Sequence, residues 1–301
     1  MRKIFLTLAL ALAATSMAQV LEVASVERLD ISGTKATVVA GISPKGDYIL
    51  LTGAQLNGLA KYDLASKKVE VVSKALGAGY NPTISDDGDA VAFREDRFEK
   101  GLRSTDVKVK NFATGESRTL SKGVRNFNAV SIEGGTAVTV TDGRQAKTTI
   151  SNRRTSRDKQ ATVSIVNRQL VLSVDGKNTT LTPNGADKSY LWPTLSPDKT
   201  RICYYVGGEG CYVCNLNGKI VARLGALRAA KWYDNNVVVG MHDTDDGYVI
   251  TSSEIVAVTL AGKRQVLTDS SVKAMYPYAS SEARKIVFGT DEGETYIINL
   301  K

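Results

Sequence analysis

Residues able to do chemistry are few in this chain, and their types set narrow limits. Three cysteines and a single histidine occur in 301 residues. Cys203, Cys211 and Cys214 fall close together. A hairpin turning through Gly207-Gly-Glu-Gly210 puts Cys203 directly opposite Cys214, a separation compatible with a disulfide. The same hairpin sends Cys211 to the face away from Cys214. Cys211-x-x-Cys214 has one further Cys and no obvious fourth ligand, so zinc is not supported. His242 opens the run His242-Asp-Thr-Asp-Asp-Gly247. A Ca²⁺ loop of EF-hand type needs alternating Asp, Gly at the sixth place and a distal Glu. Counted from Asp243, the Gly comes fifth and Glu254 twelfth, and a polar turn is the plainer reading. No metal and no cofactor is expected.

One His leaves little scope for nucleophile–base pairs. Gly41-Ile-Ser-Pro-Lys45 breaks the Gly-x-Ser-x-Gly elbow at its last position. Carboxylate pairs drawn from distant segments are not visible in a sequence. No catalytic residue is assigned, and a non-enzymatic protein is expected. Residues suited to binding are more numerous. They are the aromatics Tyr80, Phe127, Tyr190, Trp192, Trp232 and Tyr276, and a basic run that includes Arg153, Arg154 and Arg157.

The elements that must position these residues are repeated. Tyr190-Leu-Trp-Pro-Thr-Leu-Ser-Pro-Asp-Lys-Thr-Arg-Ile-Cys-Tyr-Tyr205 reads as a strand, a tight turn and a second strand. Pro presets φ in the turn, and Ser or Asp can bond the local backbone. Aligned on the turn Ser, Ser43, Ser85, Ser196 and Ser280 form four good copies. Pro82, Pro193 and Pro277 lie three residues earlier. Ile49, Val91, Ile202 and Ile286 lie six residues later, and Leu51, Phe93, Tyr204 and Phe288 eight later. Weaker copies surround Phe127–Ser131 and Lys231–Asn236. A second marker, a small polar then an apolar residue closing a later strand, also counts six. Its copies are Asp63-Leu64, Asn111-Phe112, Ser173-Val174, Asn215-Leu216, Thr259-Leu260 and Asn299-Leu300.

Spacings between hairpin markers are 42, 46, 65, 37 and 47 residues. Units of this length with four short strands each are the signature of a β-propeller. The expectation is an all-β, six-bladed β-propeller in a single domain over 19–301. The last unit lacks a fourth strand, and residues 21–31 read as a strand without a blade. That N-terminal strand is expected to complete the last blade and remove an exposed edge. In this scheme the 65-residue spacing is a basic insertion in blade three, about 141–168.

Asn81-Pro-Thr-Ile-Ser-Asp-Asp-Gly-Asp-Ala-Val-Ala-Phe93 and Trp192-Pro-Thr-Leu-Ser-Pro-Asp198 resemble the WD-repeat-like motif of the TolB-type β-propeller. The resemblance spans the chain after residue 18 and is carried by four copies. It implies the propeller fold and says little about role. The roughly 20 residues between the signal peptide read at 1–18 and the first hairpin are too few for that family's additional N-terminal α/β domain, which needs about 100.

Residues 1–18 read as a secretory signal peptide. Arg2 and Lys3 are followed by an apolar run from Ile4 to Ala14 and by Ser16-Met17-Ala18, with cleavage before Gln19. The apolar run is too short to span a membrane. The expected location is periplasmic or secreted. Losing Arg2 and Lys3 takes 39 basic residues to 37 against 31 acids, leaving +6. The stretch Arg144–Arg168 carries a net +6 by itself, which is either a solvated hairpin or a docking surface for an acidic partner. The first strand of each unit starts at one mouth of the central channel, where the six aromatics gather. They are either wedges between blades or anchors at an interface.

The expected role is a protein–protein interaction module of the cell envelope. It would bind an envelope or secreted partner at the channel mouth or at the basic stretch. A glycan or anionic polymer is the alternative ligand, with a carbohydrate-processing hydrolase or lyase, or a structural module of an envelope or secretion assembly, as other readings. Nucleic acid is not expected as a partner, since no nucleic-acid motif occurs. A monomer is expected.

Overall fold

The computed structural model describes residues 19–32, 34–151 and 161–301. Its strands fall in seven antiparallel sheets. β1 (Val23–Arg28) comes first in the chain, away from the blade it joins. Blade one is β2 (Val38–Ile42), β3 (Tyr48–Thr52), β4 (Leu59–Asp63) and β5 (Val69–Ser73). Blade two is β6 (Thr83–Ile84), β7 (Ala90–Glu99), β8 (Leu102–Asn111) and β9 (Ser117–Val124). Blade three has β10 (Phe127–Glu133), β11 (Thr136–Thr141) and β12 (Arg144–Thr149), and blade four β13 (Ala161–Val166), β14 (Gln169–Val174) and β15 (Lys177–Leu181). Blade five is β16 (Tyr190–Leu195), β17 (Arg201–Val206), β18 (Gly210–Asn215) and β19 (Ile220–Gly225). Blade six is β20 (Arg228–Trp232), β21 (Val237–Asp245), β22 (Ile250–Thr259) and β23 (Arg264–Val266). Blade seven is β24 (Ala274–Ser280), β25 (Lys285–Thr290) and β26 (Thr295–Leu300), with β1 as its outer strand.

The propeller therefore has seven blades where the repeat predicts six. The stretch read as a basic insertion is not one. Arg144–Thr149 is the third strand of blade three, and Ala161–Val166 is the first strand of blade four. The hairpin turns of these two blades lack the serine found in the turns of blades one, two, five and seven. Glu133↔Thr136 and Val166↔Gln169 close two-residue turns through Gly134-Gly135 and Asn167-Arg168. Left-handed φ values at both positions of each turn suit a tight hairpin of this length.

Elsewhere the turn serine explains the repeat. Ser196 Oγ accepts from Arg201 N–H at 3.0 Å and donates to Asp198 at 2.6 Å. Ser85 does the same with Ala90 and Asp87, and Ser43 with Tyr48 and Asp47. Each hydroxyl satisfies a backbone group that the turn would otherwise leave without a partner. The following strand is buried on both faces, as the neighbouring pairs Ile49 and Leu50, Val91 and Ala92, Ile202 and Cys203, and Ile286 and Val287 show. Apolar clusters lie between adjacent blades. Blades five and six share Cys203, Val213, Trp232, Val238 and Val256, for example.

The ring closes by pairing β1 with β26, running from Val23↔Leu300 to Arg28↔Tyr296. The lead into β1 is held by blade six. Gln265 Oε1 accepts from Val20 and Leu21 N–H at 2.6 and 2.9 Å, and its Nε2 donates to Leu21 O at 2.9 Å. Ser280 of blade seven donates to Pro44 O of blade one across the same seam.

Candidate functional site

The innermost strands of several blades carry a register shift near their start. In three blades a residue inside the shift is left-handed: Trp192 (φ 49°), Ala229 (φ 49°) and Tyr276 (φ 52°). Asn81 (φ 50°), just before β6, holds the same place in blade two. Such φ values are uncommon for non-glycine residues and unfavourable for bulky ones. A bulge of this kind re-aims a side chain away from the sheet. Its effect is plain at Trp192 and Tyr276, which are 44% and 47% exposed although they sit on innermost strands. Tyr80, beside Asn81, is also 47% exposed.

These rings are braced from the adjacent strand. Trp192 lies against Tyr205 with ring centroids 5.5 Å apart, and the Arg94 guanidinium lies 4.1 Å from the centroid of Tyr80. Tyr205 and Arg94 each stand nine residues after their turn serine, so one architectural support recurs in two blades. Arg94 pairs with Asp96 at 3.3 Å, and Thr105 donates to Asp96 at 2.7 Å. In blade six, Arg228 bonds Asp243 at 2.5 Å, and this contact, together with Tyr205, holds the guanidinium above its ordinary pKa. The mouth thus combines exposed rings with fixed guanidinium groups.

The six predicted aromatics divide. Tyr80, Trp192 and Tyr276 reach the surface, and Phe127 is half-buried. Tyr190 is fully buried in the core, where its hydroxyl accepts from Asn184 N–H and donates to Gly185 O. Trp232 is a wedge between blades, 8% exposed, with its indole N–H on Thr194 O at 3.2 Å. Tyr190 and Trp232 are therefore not mouth anchors. Arg153, Arg154 and Arg157 lie outside the described residues. The bracing roles of Arg94, Tyr205 and Arg228 were not read from the sequence. Their signal was position, since Arg94 and Tyr205 occupy equivalent places in the repeat.

The cysteine expectation also needs correction. The β17–β18 register pairs Cys203 with Val213 and Ile202 with Cys214, one residue away from the predicted alignment. Period-two alternation then sends Cys203 and Cys214 to opposite faces, and they pack in different interblade clusters. No bond can join them. Cys203 and Cys211 share a face instead, with sulfurs 3.5 Å apart. All three are buried free thiols. Contact with Cys211 and burial push the Cys203 thiol well up, and burial pushes that of Cys214 up to about 12. Neither is a poised nucleophile.

In the His242 run the carboxylates serve the protein. Asp243 faces Arg228, Asp245 Oδ1 accepts from Gly247 N–H, and Asp246 Oδ1 accepts from the N–H groups of Tyr248 and Val249. Among the described residues no group of three or more His, Cys, Asp or Glu could hold a metal ion. No helix among them is long and apolar enough to cross a membrane.

No family model and no curated protein matches the sequence. Solved structures match in fold. An oligogalacturonate lyase from Vibrio parahaemolyticus shares 13% identity at a TM-score of 0.51, over 86% of this chain and 76% of that one. The Cps50 (Swd1) propeller domain of Myceliophteria thermophila shares 10% at 0.57, over 93% and 100%. A chain of the Mitotic Checkpoint Complex shares 10% at 0.58, over 98% and 100%. One of these is an enzyme and another belongs to a protein complex, so the likeness extends to architecture alone. The chain is a β-propeller of seven blades.

Proposed function

We propose that this propeller is an exported, non-enzymatic interaction module of the cell envelope that takes a protein partner at the mouth ringed by Tyr80, Trp192 and Tyr276. The reading rests on one observation: two bulky rings are kept outside on left-handed backbone, where an inward-facing rotamer on regular strand would have buried them. Large amphipathic rings flanked by arginine are the side chains that dominate interface energetics.

The test is photo-crosslinking. The full chain, made in its source cell with a benzophenone side chain at position 192 or 276, is irradiated in envelope extract. One discrete protein adduct is expected, on a chain whose N-terminus is Gln19. The triple variant Tyr80→Ala, Trp192→Ala, Tyr276→Ala should fold normally and compete at least about tenfold less well, since each anchor contributes roughly 1–2 kcal/mol. A second reading, a glycan stacked on Trp192, takes over if no protein adduct forms while an oligosaccharide array gives binding that Trp192→Ala abolishes.

A further inference from the structure

We propose that two copies of this chain associate face to face, the blade-two hairpin of each docking against the blade-six hairpin of the other. The contact lies at hairpin tips, away from the rings of the mouth, and takes the place of the monomer expected from the sequence.

Two hairpins between second and third strands stand above the rest. β7 has 10 residues and β21 has 9, whereas β3, β11, β14, β17 and β25 have 5 or 6. Some four extra residues at ~3.3 Å each lift either tip by roughly 13 Å. A turn between second and third strands lies at the end where the first strand starts, so both hairpins rise from the mouth face. Their tips are apolar. Phe98 and Leu102 are exposed at one, and Val249 and Tyr248, itself 96% exposed, at the other. Both turns are built. Lys100-Gly101 is a two-residue turn with left-handed φ at both positions, and Asp246 Oδ1 accepts from the N–H groups of Tyr248 and Val249. Apolar groups held out in water in this way mark an interaction surface.

The two tips carry opposite charge. Beside Phe98 and Leu102 stand Lys100, Arg103 and Arg125, whose guanidinium donates to Arg103 O at 2.6 Å. Against these three bases the tip sets Glu99, since Asp106 is held by Arg97 at 2.7 Å. Around Tyr248 and Val249 stand Asp243, Asp245 and Asp246, with Arg228 against them. No Lys or Arg occurs between Val237 and Thr259. A surface rich in anionic lipid would attract the first tip and repel the second, whereas a second copy of the chain satisfies both.

The ring lets both contacts form at once. Blades two and six are three places apart on a ring of seven. A twofold axis in the plane of the ring, passing through blade four and out between blades seven and one, exchanges their places. Hairpin two of each copy then meets hairpin six of the other, and the contact is made twice. The raised tips keep the two mouths apart, which leaves room for an extended segment of a partner between them.

The experiment measures the mass of the whole protein in solution by sedimentation velocity. A dimer is expected, weakened about threefold or more by added salt, because exposed charge pairs are screened. Asp245→Asn with Asp246→Asn keeps the oxygens that accept in the turn and should remove most of that salt dependence. Phe98→Ser with Leu102→Ser, and separately Tyr248→Ser with Val249→Ser, should each fold normally and associate at least about tenfold more weakly. Mixed in equal amounts, these two serine variants should associate more tightly than either does alone, because their heterodimer keeps one intact contact between hairpins two and six. The proposal is overturned if the wild type is a monomer up to about 0.1 mM, if either serine variant dimerises as the wild type does, or if mixing restores nothing. A monomeric wild type that binds vesicles of anionic lipid, and loses them on Tyr248→Ser, overturns it in favour of a lipid surface.

Discussion

A thiol between two blades is shielded by both, and chemistry at Cys203, Cys211 and Cys214 depends on which sheet face each occupies. An oxidant present during refolding is expected to remove two thiols together and join Cys203 to Cys211, whose sulfurs already touch. Oxidation releases two electrons and two protons to that oxidant, and Cys214 stays free. Non-reducing peptide mapping decides this, and a Cys203–Cys214 crosslink would contradict the β17–β18 register. The one-residue difference between expectation and structure arose at the turn. Glu209 N–H bonds Val206 O, and Val206 pairs with Gly210, so the hairpin turns half a residue earlier than a count of glycines suggests. The same limit applied to Tyr190 and Trp192. Their places on the first strand were legible from Pro193 and Ser196. Which of them faced outward was not, because that depends on the bulge at Trp192, and a positive φ at Trp leaves no trace in residue type.

At the scale of elements, the seam between β1 and β26 is the part most exposed to failure. A lone outer strand far from its blade in sequence is held by ladder bonds and by the three hydrogen bonds of Gln265. Gln265→Ala removes all three without touching β26. It is expected to lower local stability by about 1–3 kcal/mol and to speed amide exchange in Ser25–Arg28 and Asn299–Leu300, leaving Val107–Val109 of blade two unchanged. Equal acceleration throughout would show that the glutamine supports the whole ring and not its seam. The pairing of the two ends was legible because an unpaired terminal strand and an incomplete last unit match in number. The glutamine was not, since a side chain from the outermost strand of blade six carries no motif.

Across the whole molecule, each blade buries both faces only against two neighbours, so removal of one support weakens the rest. Heat unfolding followed by Trp fluorescence and by far-UV circular dichroism should give superimposable transitions. A chain lacking residues 19–28 should unfold at a temperature lower by on the order of 5 °C, from a few lost bonds of about 1 kcal/mol each. Separate transitions in the intact chain would mean blades that melt alone. The architecture was legible except for its count. Ser173-Val174 ends β14, a second strand, whereas the other five copies of that marker close third strands. The true third strands of blades three and four end at Thr149-Ile150 and Thr180-Leu181, a small polar then an apolar residue in each case. Both went unread because their hairpins had lost the serine turn and lay beside a run of basic residues.

The pairing of β1 with β26 also sets an order of events. Val23–Arg28 is synthesised before every other described strand, and its partner Thr295–Leu300 after them all. Six blades can gather while the seam stays open, and the ring cannot lock until Thr295–Leu300 has been made. The contact that closes the ring is therefore the last that these strands can make.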